Sequence, residues 1–481
     1  MTARSTTTSR PVGRASGETA PGRARRTRLF LHELQRLLRI AGPIVGSQLG
    51  QVGMNTVDTL MVGRLGATPL AAAAFSHAVH ITALQICFGV VMGMSPLVSQ
   101  AYGAGDLQRC RQVLIQGLWL ATALSIPLAW VSFEGEAIAR WLGQESDVAY
   151  LSGGYMYALA FGALPVALFT AFRQYLEGMG LTRAPMVITF FGLGVNVVAN
   201  WILIWGVEGW IPAMGVVGAG WATTLVRWAM LLAMIGYLVR HPRLRPFDGV
   251  RWHPDRPILD RMVRIGLPIG AQLGLEVGLF SFAAVMMGWF GAVELAAHQV
   301  TINIATTTFM VALGVSIAGS IRVGQHIGAQ NPRGVRRAVA GTYILALGFM
   351  GLCALVFVAA PETLIGLYTA DPSILAFGTT FLAFAAAFQL FDGAQVAGIF
   401  LLRGAADTRI PTILAAVGYW GIGLPTTYVL GFRTPIGPAG IWTGFVLALA
   451  AVAALMAMRV RRILWLGEVR RVELEEGTAA A

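Results

Sequence analysis

The chain is dominated by unbroken apolar stretches of roughly 20 to 30 residues, which begin after residue 36 and continue almost to the carboxyl end. A helix needs about 20 residues to cross the hydrocarbon core of a bilayer. Apolar residues make up 56% of the 481 residues and charged residues only 12%, against roughly a quarter charged in soluble domains. The stretches therefore predict an all-α polytopic membrane protein. They exclude a soluble enzyme and, because they do not alternate with period two, an outer-membrane barrel.

Polar residues divide the apolar sequence into twelve predicted spans, with centres near residues 50, 84, 121, 163, 195, 227, 274, 308, 347, 388, 421 and 449. The predicted organisation is a disordered basic cytoplasmic tail (1–35), an N-lobe of six helices (36–239), a cytoplasmic linker (240–257), a C-lobe of six helices (258–464) and a cytoplasmic tail (465–481). For residues 1–28, a transit peptide and an over-long start of translation stay open as alternatives.

All 35 basic residues are arginine, and they are unevenly distributed between the two sides of the predicted membrane. Thirty-one lie in the two tails, the linker or the loops of one side, whereas the opposite side holds only Arg64, Arg140 and Arg433. Because basic loops remain on the cytoplasmic side, both termini are predicted to be cytoplasmic. Basic charge arranged by membrane side, and not on one soluble surface, gives no indication of nucleic-acid binding.

The two halves of the chain repeat one another. Pro43 in AGPIVGSQLG corresponds to Pro268 in GLPIGAQLGL, and Gln100 in SQAYGAGD corresponds to Gln325 in GQHIGAQN, each pair 225 residues apart. A third block, LEGMGLTRAP, returns as LRGAADTRIP at an offset of 226. Since each half has an even number of spans, the halves are predicted to be parallel six-helix repeats about an axis along the membrane normal. That architecture is typical of alternating-access transporters.

Ionisable and amide side chains inside the spans are the candidate site residues, because such groups are costly in hydrocarbon and are usually functional there. In the first span, Asp58 shares one helical face with Asn55 and Gln51, three and seven residues earlier. In the fifth span, Asn196 and Asn200 lie one turn apart on a second polar face. We predict that Asp58 is a cation-coupling carboxylate. The amides are predicted to line the cavity, although amides also serve as contacts between helices.

The second half contributes two more intramembrane acids. Glu276 follows Gln272 by one turn, and Asp392 follows Gln389 by three residues. Two carboxylates in a cavity of low dielectric repel each other unless a cation lies between them. We therefore predict that Glu276 and Asp392 converge on one coupling cation, Na⁺ or H⁺, that competes with an organic cation. Gln272 and Gln389 are predicted to line the cavity.

Arg227 is an intramembrane base without an acid three or four residues away, so both a partner on another helix and a role in transport stay open. The three Cys and seven His residues do not gather with carboxylates on one face, and no resident metal or cofactor is predicted. A clustered nucleophile and base is also missing from the sequence pattern, so no enzymatic activity is expected.

Four segments of the sequence resemble segments of a known family. They are TVDTLMVGRLG around Asp58, NVVANWILIWG around Asn200, VGQHIGAQ from Val323 and LLRGAADTRIP around Arg403. Together they resemble the multidrug and toxic compound extrusion (MATE) transporters, in order and in both lobes, over roughly residues 30 to 465. The acids of the C-lobe favour the bacterial NorM-like branch of that family.

The resemblance implies export of cationic, amphipathic compounds in exchange for Na⁺ or H⁺. It places Asp58 as the acid of the N-lobe cavity and Glu276 and Asp392 as the cation-binding carboxylates of the C-lobe. The sequence departs from the expected pattern at Phe388, one turn before Asp392, where a polar or tyrosyl ligand for Na⁺ is expected. The coupling ion therefore stays open.

A lipid-linked oligosaccharide flippase of the same superfamily is the alternative function. Flippases line their cavity with several basic residues for a diphosphate, whereas here three intramembrane acids outnumber one arginine. The expected partners are small organic cations and the lipid bilayer, with the chain acting as a monomer. The short loops and the resemblance predict the inner membrane of a bacterium.

Overall fold

The structure is a computed structural model, and it describes residues 20–241, 244 and 246–467. Almost all of this part of the chain is helical. No β-strand occurs within it, and its one extended contact is an isolated bridge between Val207 and Ile211. The residues between helices form short turns, except for residues 206–214 between α8 and α9 and the linker after residue 240.

The first nine helices form what we call the N-half. They are α1 (Ala20–Gly63), α2 (Ala67–Met92), α3 (Met94–Gly103), α4 (Leu107–Phe133), α5 (Gly135–Trp141), α6 (Ser146–Ala160), α7 (Ala163–Gly178), α8 (Arg183–Trp205) and α9 (Gly215–Arg240).

The remaining helices form the C-half. They are α10 (Arg256–Gly288), α11 (Ala292–Gly328), α12 (Pro332–Ala359), α13 (Pro361–Gly366), α14 (Pro372–Gly404), α15 (Arg409–Ala416), α16 (Leu424–Phe432) and α17 (Pro438–Val460). Two π-helical segments continue this set, Val417–Gly423 between α15 and α16 and Arg461–Leu466 after α17.

The predicted membrane class is confirmed. Ten helical spans among the described residues are long and apolar enough to cross a bilayer, and α6 with α7, bent by 48° at their junction, makes an eleventh. The first predicted span lies within α1, whose polar stripe at Gln51, Asn55 and Asp58 lowers its hydropathy. All twelve predicted spans therefore correspond to helices.

The predicted disordered tail at residues 1–35 differs from the structure over its second part. Residues 20–35 belong to α1, which continues through Pro43 to Gly63. Buried contacts hold this extension in place, since Glu33 is 4% exposed and Leu37 is fully buried against the C-half. Residues 1–19 and 468–481 lie outside the described residues.

The end of the molecule that we call the basic face carries the linker and four short turns, at residues 104–106, 179–182, 329–331 and 405–408. The opposite end, the acidic face, carries the turns between α1 and α2, between α8 and α9 and between α10 and α11. The linker packs on α4, where Gln116 donates to the His253 carbonyl at 2.9 Å and accepts from the Asp255 amide at 2.8 Å.

The two halves meet at the basic face through a pair of equivalent contacts. Gln100 of α3 donates Nε2 to the Gly404 carbonyl at 3.1 Å. Gln325 of α11, its counterpart in the repeat, donates Nε2 to the Gly178 carbonyl at 3.2 Å. Gly178 and Gly404 also correspond in the repeat, so the two contacts are related by a pseudo-twofold axis. We call these four residues the seal.

Glycines let the backbones of α3 and α11 approach closely beside the seal. A Cβ on Gly103 would lie 2.0 Å from the Gln325 carbonyl oxygen, and a Cβ on Gly328 would lie 1.9 Å from the Gln100 carbonyl oxygen. A larger residue at either position would force the helices apart. The basic face is therefore closed by direct contact between the two halves.

Apolar packing follows the two halves with two exceptions. One cluster joins Leu37, Ala41 and Ile44 of α1 to α11, α12 and α14. The largest buried cluster comes from residues 279–464, and the second comes from the N-half together with Leu244 of the linker and Ile258, Met262, Ile265 and Ile269 of α10. The first part of α10 thus packs on the N-half and its second part on the C-half. The lobe boundaries predicted at residues 239 and 258 stay predictions, because α10 contributes to both clusters.

Candidate functional site

Exposed polar side chains on α1 and α11 indicate a cleft between these helices toward the acidic face. Near the basic face the two helices pack tightly, and a Cβ on Gly314 would lie 2.5 Å from the Val45 side chain. Further along, polar side chains of both helices are exposed within apolar stretches, namely Asn55, Thr59, Asn303 and Thr307. Such groups would be costly against lipid, so we infer that they line a cleft that is open to water at the acidic face.

Asp58 lies on the N-half wall of this cleft and is held by two amides of α8. Its Oδ1 accepts hydrogen bonds from Asn196 Nδ2 at 2.9 Å and from Asn200 Nδ2 at 2.6 Å. The two asparagines are 2% and 0% exposed, whereas Asp58 is half-buried. The predicted polar faces of the first and fifth spans thus meet. The carboxylate keeps one oxygen free of these amides, so it could bind a proton or another cation.

Arg227 of α9 has its partner on another helix. It donates Nη2 to His80 Nε2 of α2 at 3.1 Å, and His80 Nδ1 donates to Ser132 Oγ at 3.0 Å. This assignment makes His80 neutral with its proton on Nδ1. Arg227 also attracts Asp58 electrostatically, and its Nη1 is buried without a partner among the described residues. A positive charge therefore stands behind the carboxylate of the N-half.

Asp392 of α14 is 5% exposed and lies at the start of a chain of hydrogen bonds. Its Oδ1 accepts from Gln395 Nε2 at 3.4 Å, and Gln395 Oε1 accepts from the Tyr419 hydroxyl at 2.5 Å. Tyr419 is fully buried and belongs to the π-helical segment Val417–Gly423. Such π-segments inside helices are frequent at functional sites. Gln389, which is also fully buried, donates instead to Thr308 of α11.

Glu276 of α10 is half-buried and has no hydrogen bond or ion pair to another described residue. It interacts electrostatically with Asp392 and with Arg403. Gln272, one turn earlier on α10, is 2% exposed and accepts from Arg403 Nη2 at 3.1 Å. The C-half therefore holds two carboxylates that interact electrostatically, and Glu276 has no hydrogen-bond partner among the described residues. Such a pair could accept a monovalent cation between its members.

An aromatic wall borders Asp392. Phe388 is 3% exposed and its ring lies 5.9 to 6.2 Å from those of Phe280, Trp442 and Phe445. Packing among aromatic rings occupies the position where an oxygen ligand was expected. Oxygen ligands for a cation would therefore come from the carboxylates and from the Gln395 side chain. Aromatic rings beside a carboxylate also suit an amphipathic cation.

The structure places several polar residues of this region differently from the sequence prediction. The arginine count predicts that Arg322 and Arg403 belong to loops of the basic side, but they lie within α11 and α14 and are only 6% and 5% exposed. Tyr419 was not singled out at all. Its only sequence signal is a hydroxyl in an apolar stretch rich in glycine, which does not distinguish it from an interfacial tyrosine.

One family model matches both halves of the repeat. The MatE family model matches residues 43–202 and 268–429, and the matched segments start 225 residues apart, at the offset of the repeat. This chain belongs to the MatE family. The first segment holds Asp58 and both asparagines of α8, and the second holds Glu276 and Asp392. Arg227 lies outside both segments, so this MATE protein has an intramembrane base beyond the matched positions.

Curated relatives support the NorM-like branch. The chain is 37% identical over 440 residues to a probable multidrug resistance protein NorM of Mesorhizobium japonicum, which covers 90% of this chain and 94% of the relative. It is 35% identical over 442 residues to the multidrug resistance protein NorM of Vibrio cholerae, with coverage of 90% and 96%. The predicted resemblance to MATE transporters of the NorM-like branch is thereby confirmed.

Solved structures share the fold at lower sequence identity. The eukaryotic MATE transporter AtDTX14 matches with a TM-score of 0.82 at 20% identity, covering 91% of this chain and 98% of that chain. An outward-facing conformation of a multidrug resistance MATE transporter matches with a TM-score of 0.80 at 20% identity, covering 89% and 96%. The architecture of this MATE protein is therefore that of known transporters.

Proposed function

We propose that this protein exports small organic cations across the plasma membrane of a bacterium in exchange for Na⁺ or H⁺. One arrangement carries the proposal: the two halves are in contact at the basic face, and toward the acidic face both expose polar side chains and hold carboxylates beside the inferred cleft. An alternating-access transporter needs such a site between two repeats that can move against each other. The names of the NorM relatives support the export of drugs.

The charges in the cleft favour cationic cargo. Asp58 and Glu276 are both half-buried residues, on helices of the two halves. Arg227 donates to His80 and Arg403 donates to Gln272, and both guanidinium groups have buried N–H atoms. The accessible charge is therefore negative. Phe280 is the one ring of the aromatic wall that is not buried, and it offers an apolar surface for the rest of an amphipathic cation.

The exchange follows from competition for the carboxylates. With the cleft open at the acidic face, Na⁺ or H⁺ neutralises Glu276, Asp392 or Asp58 and removes the attraction that holds the organic cation. The cargo then leaves, and the ion stays while the seal opens and the acidic face closes. Because the sequence pattern places 31 of 35 arginines on one side of the membrane, we assign that side, with the linker, the basic face and both termini, to the cytoplasm. Export is the resulting direction.

The flippase alternative has one observation in its favour. Arg227 and Arg403 both carry buried N–H groups without a partner among the described residues, and such groups could bind a phosphate. Three carboxylates in the same region would repel a diphosphate, however. The cationic cargo is therefore the better fit, and the two functions predict opposite results in a dye assay.

The test is transport of a fluorescent cationic dye by proteoliposomes that contain the purified protein, under an imposed Na⁺ gradient or an imposed pH gradient. The variants are Asp392→Asn and Asp58→Asn, with Glu362→Gln as a matched control because Glu362 is exposed at the acidic face. We expect each site variant to lower the initial rate at least about tenfold, since a buried charge pairing is worth several kcal/mol. The control should keep the wild-type rate.

The driving gradient identifies the ion. Dye movement with the Na⁺ gradient alone, abolished in Asp392→Asn, would assign the C-half carboxylates to Na⁺. Dependence on the pH gradient alone would make H⁺ the coupling ion. No dye movement by wild type under either gradient would refute the proposed exchange and favour the flippase.

A further inference from the structure

Arg403 is a buried positive charge between the C-half carboxylates and the basic face. It lies in the last turn of α14, directly before the seal residue Gly404, and is 5% exposed. Asp392 precedes it on the same helix by eleven residues, which is about 16 Å toward the acidic face at 1.5 Å per residue. Gln272, its hydrogen-bond partner, lies one turn from Glu276 on the side of the basic face.

The hydrogen bonding of Arg403 is incomplete. Nη2 donates to Gln272, and the guanidinium carbon lies 4.3 Å from the centre of the Phe400 ring. Nε and Nη1 are buried without a partner among the described residues, and Arg403 forms no ion pair there. A buried charge without a counter-ion is strongly unfavourable. A buried ionisable residue in a membrane-spanning helix is by default a functional candidate.

The equivalent position in the N-half shows that the repeat does not require this charge. Glu177 corresponds to Arg403 in the repeat and also precedes a seal residue, Gly178. Glu177 is 2% exposed, and its Oε1 accepts from Arg173 Nε at 2.6 Å within the same helix. Its charge is thus neutralised locally, whereas that of Arg403 acts on its surroundings. The surroundings include Glu276, with which it interacts electrostatically.

We propose that Arg403 is an electrostatic barrier that stops the coupling cation from passing directly from Glu276 and Asp392 to the basic face. A fixed arginine in a narrow polar path repels cations and protons. The ion can then reach the cytoplasm only when the two halves reorient, which ties its movement to that of the cargo. Arg403 is a positioning residue in this role, because its positive charge repels the ion at a distance and does not bind it. The inference rests on the proposed ion-coupled exchange.

The test is ion flux without any organic cation, measured in proteoliposomes with radioactive Na⁺ and, separately, with a pH-sensitive dye in the lumen. Arg403→Gln keeps a donor for Gln272 but removes the charge, and it should raise the flux of the coupling ion about tenfold. Arg403→Lys keeps the charge and should stay near the wild-type flux. Arg459→Gln is the matched control, since Arg459 pairs with Asp407 at 2.9 Å within the C-half, near the basic face.

A second variant covers the case in which Arg403→Gln does not fold. Gln272→Glu places a counter-ion beside Arg403 and should also raise the flux severalfold while leaving the arginine in place. A wild-type ion flux in folded Arg403→Gln or in folded Gln272→Glu would refute the proposed barrier. Equal ion fluxes through Arg403→Lys and Arg403→Gln would also refute it. Failure of the proposed exchange is recognised separately, because wild type would then move no dye under either gradient.

Discussion

Replacing Glu33 with Gln should open the basic face, because its carboxylate joins the two halves. Glu33 lies in the part of α1 before the first predicted span, and Arg322 lies in α11 of the C-half. The carboxylate accepts from Arg322 Nε at 2.7 Å and from Arg322 Nη2 at 2.8 Å, and lies 3.2 Å from His326 Nε2. The Glu33 and Arg322 side chains are both buried. A bidentate pair of this kind is among the strongest polar contacts in proteins.

The size of the effect follows from the Glu33 carboxyl. Burial alone would raise its pKa, but hydrogen bonds from His326 and Arg322 outweigh burial and lower the pKa from 4.5 to about 2. That lowering corresponds to about 3 kcal/mol of stabilisation, in the range expected for breaking a buried pair. If α1 and α11 separate when the basic face opens, Glu33→Gln shifts the equilibrium toward the open state about a hundredfold.

The assay measures the rate at which a membrane-impermeant maleimide labels a single cysteine next to the seal. Cys87, Cys110 and Cys353 are first replaced by Ala, and Ser99→Cys is the reporter, because Ser99 is 1% exposed beside Gly324. Glu33→Gln should raise the labelling rate by one to two orders of magnitude. The charge reversal Glu33→Arg with Arg322→Glu should restore slow labelling. Asp407→Asn, which breaks a pair within the C-half, is the control.

Equal labelling of wild type and Glu33→Gln would refute this reasoning, and so would an equal increase in Asp407→Asn. The pH dependence gives a second check. Because the folded-state pKa of Glu33 is lowered, its stabilisation is complete above about pH 4.5 and is lost as the pH falls toward 2. Thermal stability of wild type should therefore fall over that range by more than that of Glu33→Gln.

Two further predictions concern the seal and the C-half site. Gly103→Ala places a Cβ 2.0 Å from the Gln325 oxygen and should cost about 1–3 kcal/mol, seen as faster labelling at Ser99→Cys. Gly236→Ala, whose Cβ would meet nothing within 4 Å, should label like wild type. Tyr419→Phe removes the donor to Gln395 and should weaken the apparent affinity for the coupling ion about fivefold or more. Exposed Tyr150→Phe is its control in ion titrations of dye exchange.

The helices and part of the site could be predicted from the sequence because they depend on local patterns. Each apolar stretch is long enough to require a span, and polar residues at helical spacing must share a face. That reasoning places Asp58 opposite Asn196 and Asn200, and the structure joins them by hydrogen bonds. Their role in coupling stays a prediction.

The remaining contacts depend on tertiary packing that the sequence pattern does not reveal. A count of loop arginines cannot separate a residue in a solvated turn from one in the last helical turn, so the burial of Arg322 and Arg403 was missed. The extension of α1 is ordered by Glu33, whose partner lies 289 residues away. Tyr419 reaches Gln395 from within a π-helical segment, and hydropathy carries no signal for a change of helical register.

The duplication preserves the backbone of the seal but not the charges around it. At the repeat offsets, Gln51 corresponds to Glu276, and Glu177 corresponds to Arg403. Alternating access requires two halves that separate and close in the same way, and the equivalent contacts of the seal meet this requirement. It does not require both halves to bind the same ion. The N-half can therefore hold Asp58 with two amides, while the C-half keeps two carboxylates and an arginine that forms no ion pair among the described residues. Changes at the seal should then alter the rate of transport with any ion, whereas changes to these charges should alter which ion is coupled and how tightly.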